Sequence, residues 1–127
     1  MSFTKKLEVL INYHEQYTFP TIDWTSIKKV ESKGEEGLAI WQTIQFAGLR
    51  LRLVEYSVGY EANHWCQKGH IVHCLEGELI SELSTGEKNR LTKGDTYVVS
   101  DGLSSHRSTS TVGAKLLIID GDFLKLN

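Results

Sequence analysis

The chain has 127 residues, of which 40% are hydrophobic and 24% are charged, and its formal net charge is −2. This length suits one domain with a single core, and the balanced charge argues against nucleic acid or an anionic membrane surface as a partner. Glu8 and Asn12 interrupt the N-terminal apolar stretch too early for a secretion signal, and no apolar run is long enough for a transmembrane helix. With only two cysteines, we therefore expect a cytoplasmic protein with reduced thiols.

The first 37 residues follow no regular pattern. Residues 5–13 fit a short helix or an arm, and residues 22–27 fit a short strand or a turn. From Leu38 onward, glycines separate short apolar runs, which favours an all-β barrel or sandwich over a helical bundle. Residues 49–56 begin by alternating, with three leucines on one face and Arg50 and Arg52 on the other, and this pattern predicts a half-buried strand.

A dense cluster of possible metal ligands follows, in which three histidines and two cysteines fall within eleven residues. Along a strand, His64 and Cys66 share a face because side chains two residues apart point the same way. A reversal over residues 67–69 would close a hairpin and place His70 opposite Cys66. Three ligands would then converge from one hairpin.

The same strand alternation separates the other two members of the cluster from this group. His73 falls on the opposite face from His70, and we expect it to be structural. In the predicted register Cys74 lies opposite Ala62, several residues from Cys66, so a disulfide between the two cysteines is not expected.

Further strands and turns are predicted downstream. Gly86 can supply the turn of a hairpin over residues 84–88, and residues 93–95 form a second turn. Residues 96–99 and 114–120 are apolar and β-branched enough to be buried strands.

His106 is the only histidine after the cluster, and it is the candidate fourth ligand. Imidazole and thiolate suit zinc, iron, nickel or copper, whereas calcium and magnesium require oxygen donors. The predicted metal site is thus His64, Cys66, His70 and His106, and its ion is a transition metal ion or zinc.

The cluster resembles the first motif of the cupin superfamily. His64, Cys66, His70 and Gly77 stand where that motif has His, His, Glu and Gly, with three residues between the second and third positions and six between the third and fourth. Two ligand identities differ from the motif, and Gly59 is one residue closer than the motif's first Gly.

The second cupin motif is similar to the segment that ends at His106. Gly94, Gly102 and His106 correspond to its landmarks, Ser100 replaces its Pro, and one extra residue precedes the His.

More narrowly, the chain resembles the DHCW-motif cupins, a group of small single-domain proteins. The segments that carry this resemblance are residues 22–24, 54–56, 63–70 and 106–108. Asn63 stands where that group usually has Asp. An Asp carboxylate at this position could orient a ligand histidine or act as a base, whereas the Asn63 amide can only form hydrogen bonds.

The resemblance implies an all-β fold, a double-stranded β-helix or jelly-roll cupin barrel with the metal inside, over residues 22–127. Residues 1–21 would form an N-terminal arm. Its apolar residues Phe3, Leu7, Val9 and Ile11 could cover a sheet edge, within one chain or across a dimer, and we expect a homodimer.

Three functions fit these observations. The first is a metal-dependent enzyme of the dioxygenase or isomerase type that acts on a small polar molecule. The second is a non-catalytic cupin that binds or senses a small ligand or a metal. The third is a protein whose metal ion only stabilises the barrel and whose function lies in a surface that binds a partner. A domain of this size has its own apolar core and does not need a metal ion to fold. The motifs of serine hydrolases and nucleotide-binding proteins are absent, and no residue is assigned a catalytic role.

Overall fold

The computed structural model describes residues 20–125, which consist mainly of β-strands. Short 3-10 turns at Trp24–Ser26 and Asp122–Leu124 flank the strands. The strands are β1 (Val30–Lys33), β2 (Leu38–Phe46), β3 (Leu49–Tyr56), β4 (Tyr60–Glu61), β5 (His70–Leu83), β6 (Lys88–Thr92), β7 (Thr96–Val99), β8 (His106–Ser110) and β9 (Ala114–Gly121).

All the strand pairs are antiparallel, and together they form one curled sheet. The order along its main path is β1-β2-β3-β9-β5-β8-β4, while β6 and β7 also pair with β5. The two ends of this path meet where backbone hydrogen bonds join Glu61 of β4 to Glu35 and Glu36 before β2, at 2.7 and 2.9 Å. The predicted all-β barrel is confirmed.

The longest strand, β5, takes part in both walls of the barrel. Its first half pairs with β9 and β7, and its second half pairs with β6 and β8. The register shifts by one residue between Cys74 and Glu76, so that the buried positions change from even to odd numbers along the strand. Gly77 follows the bulge with a φ of 78°, and a Cβ there would lie 2.0 Å from the Gly113 carbonyl oxygen. The bulge lets both halves of β5 face the same interior.

The interior face of β3 carries its arginines. The predicted alternation is present, but Arg50 and Arg52 share their face with the buried residues Val54 and Tyr56. They lie opposite β9, where Arg50 pairs with Asp120 and Arg52 with Ile118. Charged residues on an apolar strand normally point to water, so this inward placement requires a buried partner.

The segment before β1 forms a turn, which confirms one of the two alternatives predicted for residues 22–27. The Asp23 carboxylate accepts a hydrogen bond from the Thr25 backbone N–H at 3.1 Å. The Gln42 side chain of β2 donates to the carbonyls of Trp24 and Ile27 at 2.5 and 2.9 Å, which fixes this turn against the barrel.

Other sequence predictions have different outcomes. The hairpin at Gly86 is confirmed, since Glu82 of β5 pairs with Lys88 of β6. Both cysteines are free thiols, as expected. The helix or arm predicted at residues 5–13 lies outside the described residues, and the boundary between an arm and a barrel domain of residues 22–127 stays a prediction. Within residues 20–125, no helix has the length and apolar character needed to cross a bilayer.

Candidate metal centre

Three of the four predicted ligands come together inside the barrel. Cys66, His70 and His106 each present one donor atom, and these atoms all lie within 4.8 Å of one another. His70 and His106 are the first residues of β5 and β8, and both are buried. Their rings are 5.3 Å apart at an interplanar angle of 84°. Thiolate and imidazole are a donor set that suits zinc and the later transition metals.

The backbone pairing that builds this cluster differs from the predicted hairpin. Cys66 pairs with His106, through reciprocal backbone hydrogen bonds of 2.8 and 2.9 Å, whereas His70 lies opposite Val99 of β7. Cys74 accordingly lies opposite Leu116 and not Ala62. The prediction that Cys66 and His70 face each other across a hairpin is therefore wrong, although their side chains still meet.

The loop over residues 67–69 explains the difference, because it is held by another loop and not by a ladder of its own. The Gly69 N–H donates to the Asp101 carboxylate at 2.6 Å, and the Gly102 N–H donates to the Gln67 carbonyl at 2.8 Å. A Cβ at position 69 would lie 2.6 Å from the Val99 carbonyl oxygen, so the close approach of the two loops requires glycine there.

His106 is oriented as a metal ligand would be. Its Nδ1 lies 2.9 Å from the Ser104 carbonyl oxygen, which can accept a hydrogen bond only if Nδ1 carries the proton. Nε2 then bears the lone pair, and this buried atom makes no hydrogen bond. Histidines that bind metals commonly have the second ring nitrogen fixed in this way.

His70 differs, because its buried Nδ1 makes no hydrogen bond and its Nε2 is the atom that faces the cluster. Its Nδ1 lies 3.4 Å from Oδ2 of Asp120, and its Nε2 lies 3.5 Å from the Cys66 sulfur. Two such ligands on one tetrahedral zinc ion would be about 3.6 Å apart, given typical Zn–S and Zn–N bond lengths of about 2.3 and 2.05 Å. The spacing of this pair fits zinc without rearrangement.

The two imidazoles favour the thiolate form of Cys66. The neighbouring imidazoles, first that of His106 and then that of His70, lower the pKa of Cys66 from 9.0 to about 5, against an opposing effect of burial. The same sulfur raises the pKa of His106, against a lowering by burial. Cys74 has the opposite character, because burial raises its pKa and its thiol faces the carbonyls of Glu76 and Gly77.

We predict that iodoacetamide modifies Cys66 of the metal-free protein with a pH midpoint near 5. The thiolate is the reacting form, so the rate rises as pH passes through this pKa and is level above it. Peptide mass spectrometry on samples quenched between pH 4 and 9 would give the profile. Cys66→Ser leaves only buried Cys74, which should not react until the protein unfolds. A Cys66 midpoint near 9 would contradict the prediction.

His64 lies apart from the group of three. Its side chain is exposed, its Nδ1 is 2.9 Å from Oδ1 of Asn63, and it lines the cavity beside the cluster. Its role as the fourth ligand stays a prediction. His73 points to the other side of β5, as strand alternation predicts, and its Nδ1 lies 2.7 Å from Oγ1 of Thr96.

The cluster forms part of the wall of a small cavity within the barrel. The cavity has a volume of about 190 Å³, which is below the ~300–1,000 Å³ typical of sites for drug-sized ligands. Apart from the cluster, its wall is largely aromatic and aliphatic, with one inward-facing guanidinium on β3, and includes Trp41, Arg52, Tyr56, Tyr97, Leu116 and Ile118. A molecule of only a few non-hydrogen atoms fits this space.

The sequence prediction missed a buried ion-pair network next to the cluster. Arg50 donates to Asp120 through two hydrogen bonds, of 3.0 and 2.8 Å, and Arg52 donates to the same carboxylate at 3.1 Å. Burial raises the pKa of Asp120, but hydrogen bonding and charge from the arginines outweigh it and leave that pKa lowered. The available sequence signal was a single acidic residue at an inward position of the apolar strand β9.

Comparison with known proteins places this fold among the cupins. No protein-family model and no curated protein matches the chain. An RmlC-like cupin from Shewanella frigidimarina is 17% identical, with a TM-score of 0.62 over 87% of this chain and 91% of that one. Ectoine synthase from P. lautus is 18% identical, with a TM-score of 0.66 over 86% and 80% of the two chains.

A third structure, described as a sugar phosphate isomerase from a cupin superfamily and taken from Silicibacter pomeroyi, is also 18% identical. Its TM-score is 0.65 over 80% of this chain and 75% of that one. At these identities the comparison shows the fold, and the resemblance to the cupin superfamily is confirmed at that level. The narrower resemblance to the DHCW-motif cupins stays a prediction.

Proposed function

We propose that this protein is a metal-dependent cupin enzyme in which Cys66, His70 and His106 bind one zinc or other transition metal ion. The cavity beside the ion would bind a small polar molecule as the substrate. A bound ion of this kind supplies Lewis-acid or redox chemistry to a ligand at an open coordination position.

The observation that carries the proposal is the direction of the donor atoms. One donor atom from each of Cys66, His70 and His106 lies within 4.8 Å of the other two. Nδ1 of His106 lies 2.9 Å from the Ser104 carbonyl oxygen, and Nδ1 of His70 lies 3.4 Å from Oδ2 of Asp120. A hydrogen-bonded structural histidine has no need to leave a buried Nε2 without a partner, because an unpaired buried polar atom costs about 1–3 kcal/mol. A metal ion would remove this cost for His106.

The cavity beside the cluster favours a catalytic role for the metal ion over a purely structural one. Three protein ligands leave a fourth position on a tetrahedral ion, and catalytic sites keep that position for water or substrate. If His64 were the fourth ligand, the shell would be closed, which would favour the alternative of a non-catalytic cupin that binds or senses a metal or small ligand.

Elemental analysis of the purified protein, with zinc and ferrous titrations of the chelator-treated protein, tests the proposal. We expect one transition metal ion per chain. We also expect chelation to abolish turnover of small polar substrates while lowering the melting temperature only modestly, because the barrel has its own apolar core. Absence of metal binding at micromolar concentrations would refute the proposal. Metal binding without turnover would support the non-catalytic alternative.

Three predictions about the setting of this site come from the sequence alone. They are a cytoplasmic location, a homodimer, and the absence of nucleic acid or membrane partners. Light scattering at micromolar concentration would test the homodimer directly.

A further inference from the structure

We infer that Arg52 recognises an anion in the barrel cavity and that the molecule bound beside the metal is a small carboxylate. This inference rests on the proposed function, because it assigns a chemical class to the ligand of the same site.

Arg52 lines the cavity with a guanidinium group whose hydrogen-bond donors are only partly paired. Its guanidinium lies 4.9 Å from the centre of the Trp41 ring, and its side chain is only 16% exposed. One nitrogen, Nη2, donates to Asp120, but Nε is buried and makes no hydrogen bond. A buried guanidinium N–H without an acceptor is costly, so an acceptor from a bound ligand would stabilise this arrangement.

The local balance of charge also favours an anion. Asp120 is a single carboxylate that faces two guanidinium groups, those of Arg50 and Arg52. A divalent metal ion with one thiolate ligand would add a further net positive charge on the other side. The interior would therefore carry an excess of positive charge that a negatively charged ligand neutralises.

Arg52 is close enough to the metal cluster for one small ligand to contact both. Arg52 and the three cluster residues, Cys66, His70 and His106, line the same cavity. A carboxylate between the cluster and Arg52 would thus meet the ion and the guanidinium together, while its carbon chain would contact the apolar wall formed by Leu116 and Ile118.

The second guanidinium at the cavity wall is less suited to this role. Arg107 is next to His106 on β8, and strand alternation directs it away from the cluster. Its Nε, like that of Arg52, is buried and makes no hydrogen bond. Its Nη2, however, pairs with Glu82 at 3.2 Å, and its guanidinium lies 5.4 Å from the centre of the Trp65 ring. Arg107 has the Glu82 carboxylate as its ion-pair partner, whereas Arg52 shares the Asp120 carboxylate with Arg50. Since a phosphate would require several donors, this single shared guanidinium favours a carboxylate.

Propionate, its neutral analogue propionamide and inorganic phosphate are the probes for this inference. Titrations of the zinc-loaded protein would be followed by NMR at the indole N–H of Trp41. We expect propionate to bind at least about tenfold more tightly than propionamide, because hydrogen bonds to charged groups are the strong ones. We expect phosphate to bind more weakly than propionate.

Arg52→Met should remove the preference for propionate, and Arg52→Lys, which keeps the charge near Asp120, should reduce it. Arg50→Met is the matched control, because Arg50 also pairs with Asp120 but does not line the cavity. A preference that survives Arg52→Met would show that the metal alone binds the carboxylate, and would overturn the inference. Equal binding of propionate and propionamide, or tighter binding of phosphate, would overturn it too.

The failure of this inference can be distinguished from the failure of the proposed function. Zinc affinity is measured separately, and Arg52→Met should lower it far less than Cys66→Ser does because Arg52 is not a ligand. If the protein bound no zinc, the propionate preference of the metal-free protein would still test Arg52 by itself.

Discussion

Replacing Cys66 with Ser should weaken zinc binding by more than about 100-fold. Loss of a group that only orients a metal ligand already costs about 10–100-fold, so loss of the ligand itself should cost more. A neutral hydroxyl is also a poor substitute for a thiolate on zinc. The affinity would be measured at pH 7.5 by competition with a chromophoric chelator.

Two substitutions control for nonspecific effects on this measurement. His73→Gln removes an imidazole from the outer side of β5, and Cys74→Ala removes a buried thiol that faces backbone carbonyls. Neither variant should change the zinc affinity by more than about twofold, because neither side chain belongs to the cluster. Unchanged affinity in Cys66→Ser would exclude this thiol as a ligand.

The same assay decides the position of His64. If His64→Gln lowers zinc affinity as strongly as Cys66→Ser, four protein ligands close the shell and the ion is structural. If the affinity is unchanged, three protein ligands bind the ion and one position is open. The second result is the one expected from the exposed placement of His64.

Replacing Asp120 with Ala should lower the free energy of unfolding of the metal-free protein by about 3 kcal/mol. Removing one member of a buried ion pair costs about 3–5 kcal/mol, because it leaves the other charge uncompensated. The lower end applies here, since Arg50 retains 28% exposure and can reach water. Urea unfolding would measure the change.

Asp122→Asn is the matched control for Asp120. Asp122 lies two residues along the chain and pairs with Lys125, and both side chains are mostly exposed. Exposed pairs of this kind contribute little, so no clear change in stability is expected. If both variants lost the same free energy of unfolding, the prediction that the buried ion-pair network stabilises the fold would be wrong.

The pH dependence of the Asp120 effect has a defined sign. The pKa of this carboxyl is lowered in the folded protein, so its contribution is fully present above the pKa of the unfolded chain, about 3.9. The contribution is lost as pH falls through the folded value. The stability difference between the wild type and Asp120→Ala should therefore narrow below about pH 4.

Much of the fold could be predicted from the sequence because strand alternation and turn residues are local signals. Residues 49–56 alternate in the sequence and in β3, and Gly86 supplies a hairpin turn that needs no information from the rest of the chain. The sequence could not show which face of β3 is inside, because that depends on a partner 70 residues away, Asp120.

The candidate site was predictable in composition but not in its backbone pairing. Cys66, His70 and His106 were recognisable from residue type and spacing. Their actual arrangement depends on the contact between Gly69 and the loop after Val99, which pairs Cys66 with His106. Such a contact between distant loops leaves no periodic pattern in the sequence.

The continuity of β5 limits how the barrel can open. Because this one strand is hydrogen-bonded to β9 in one wall and to β8 in the other, the two walls cannot separate without breaking backbone hydrogen bonds of β5. The two loops at the cluster end of the barrel, residues 67–69 and 100–102, are joined to each other by hydrogen bonds from Gly69 and Gly102 and not by a strand ladder. Amide hydrogen exchange should accordingly be fast in these loops and slow along the middle of β5.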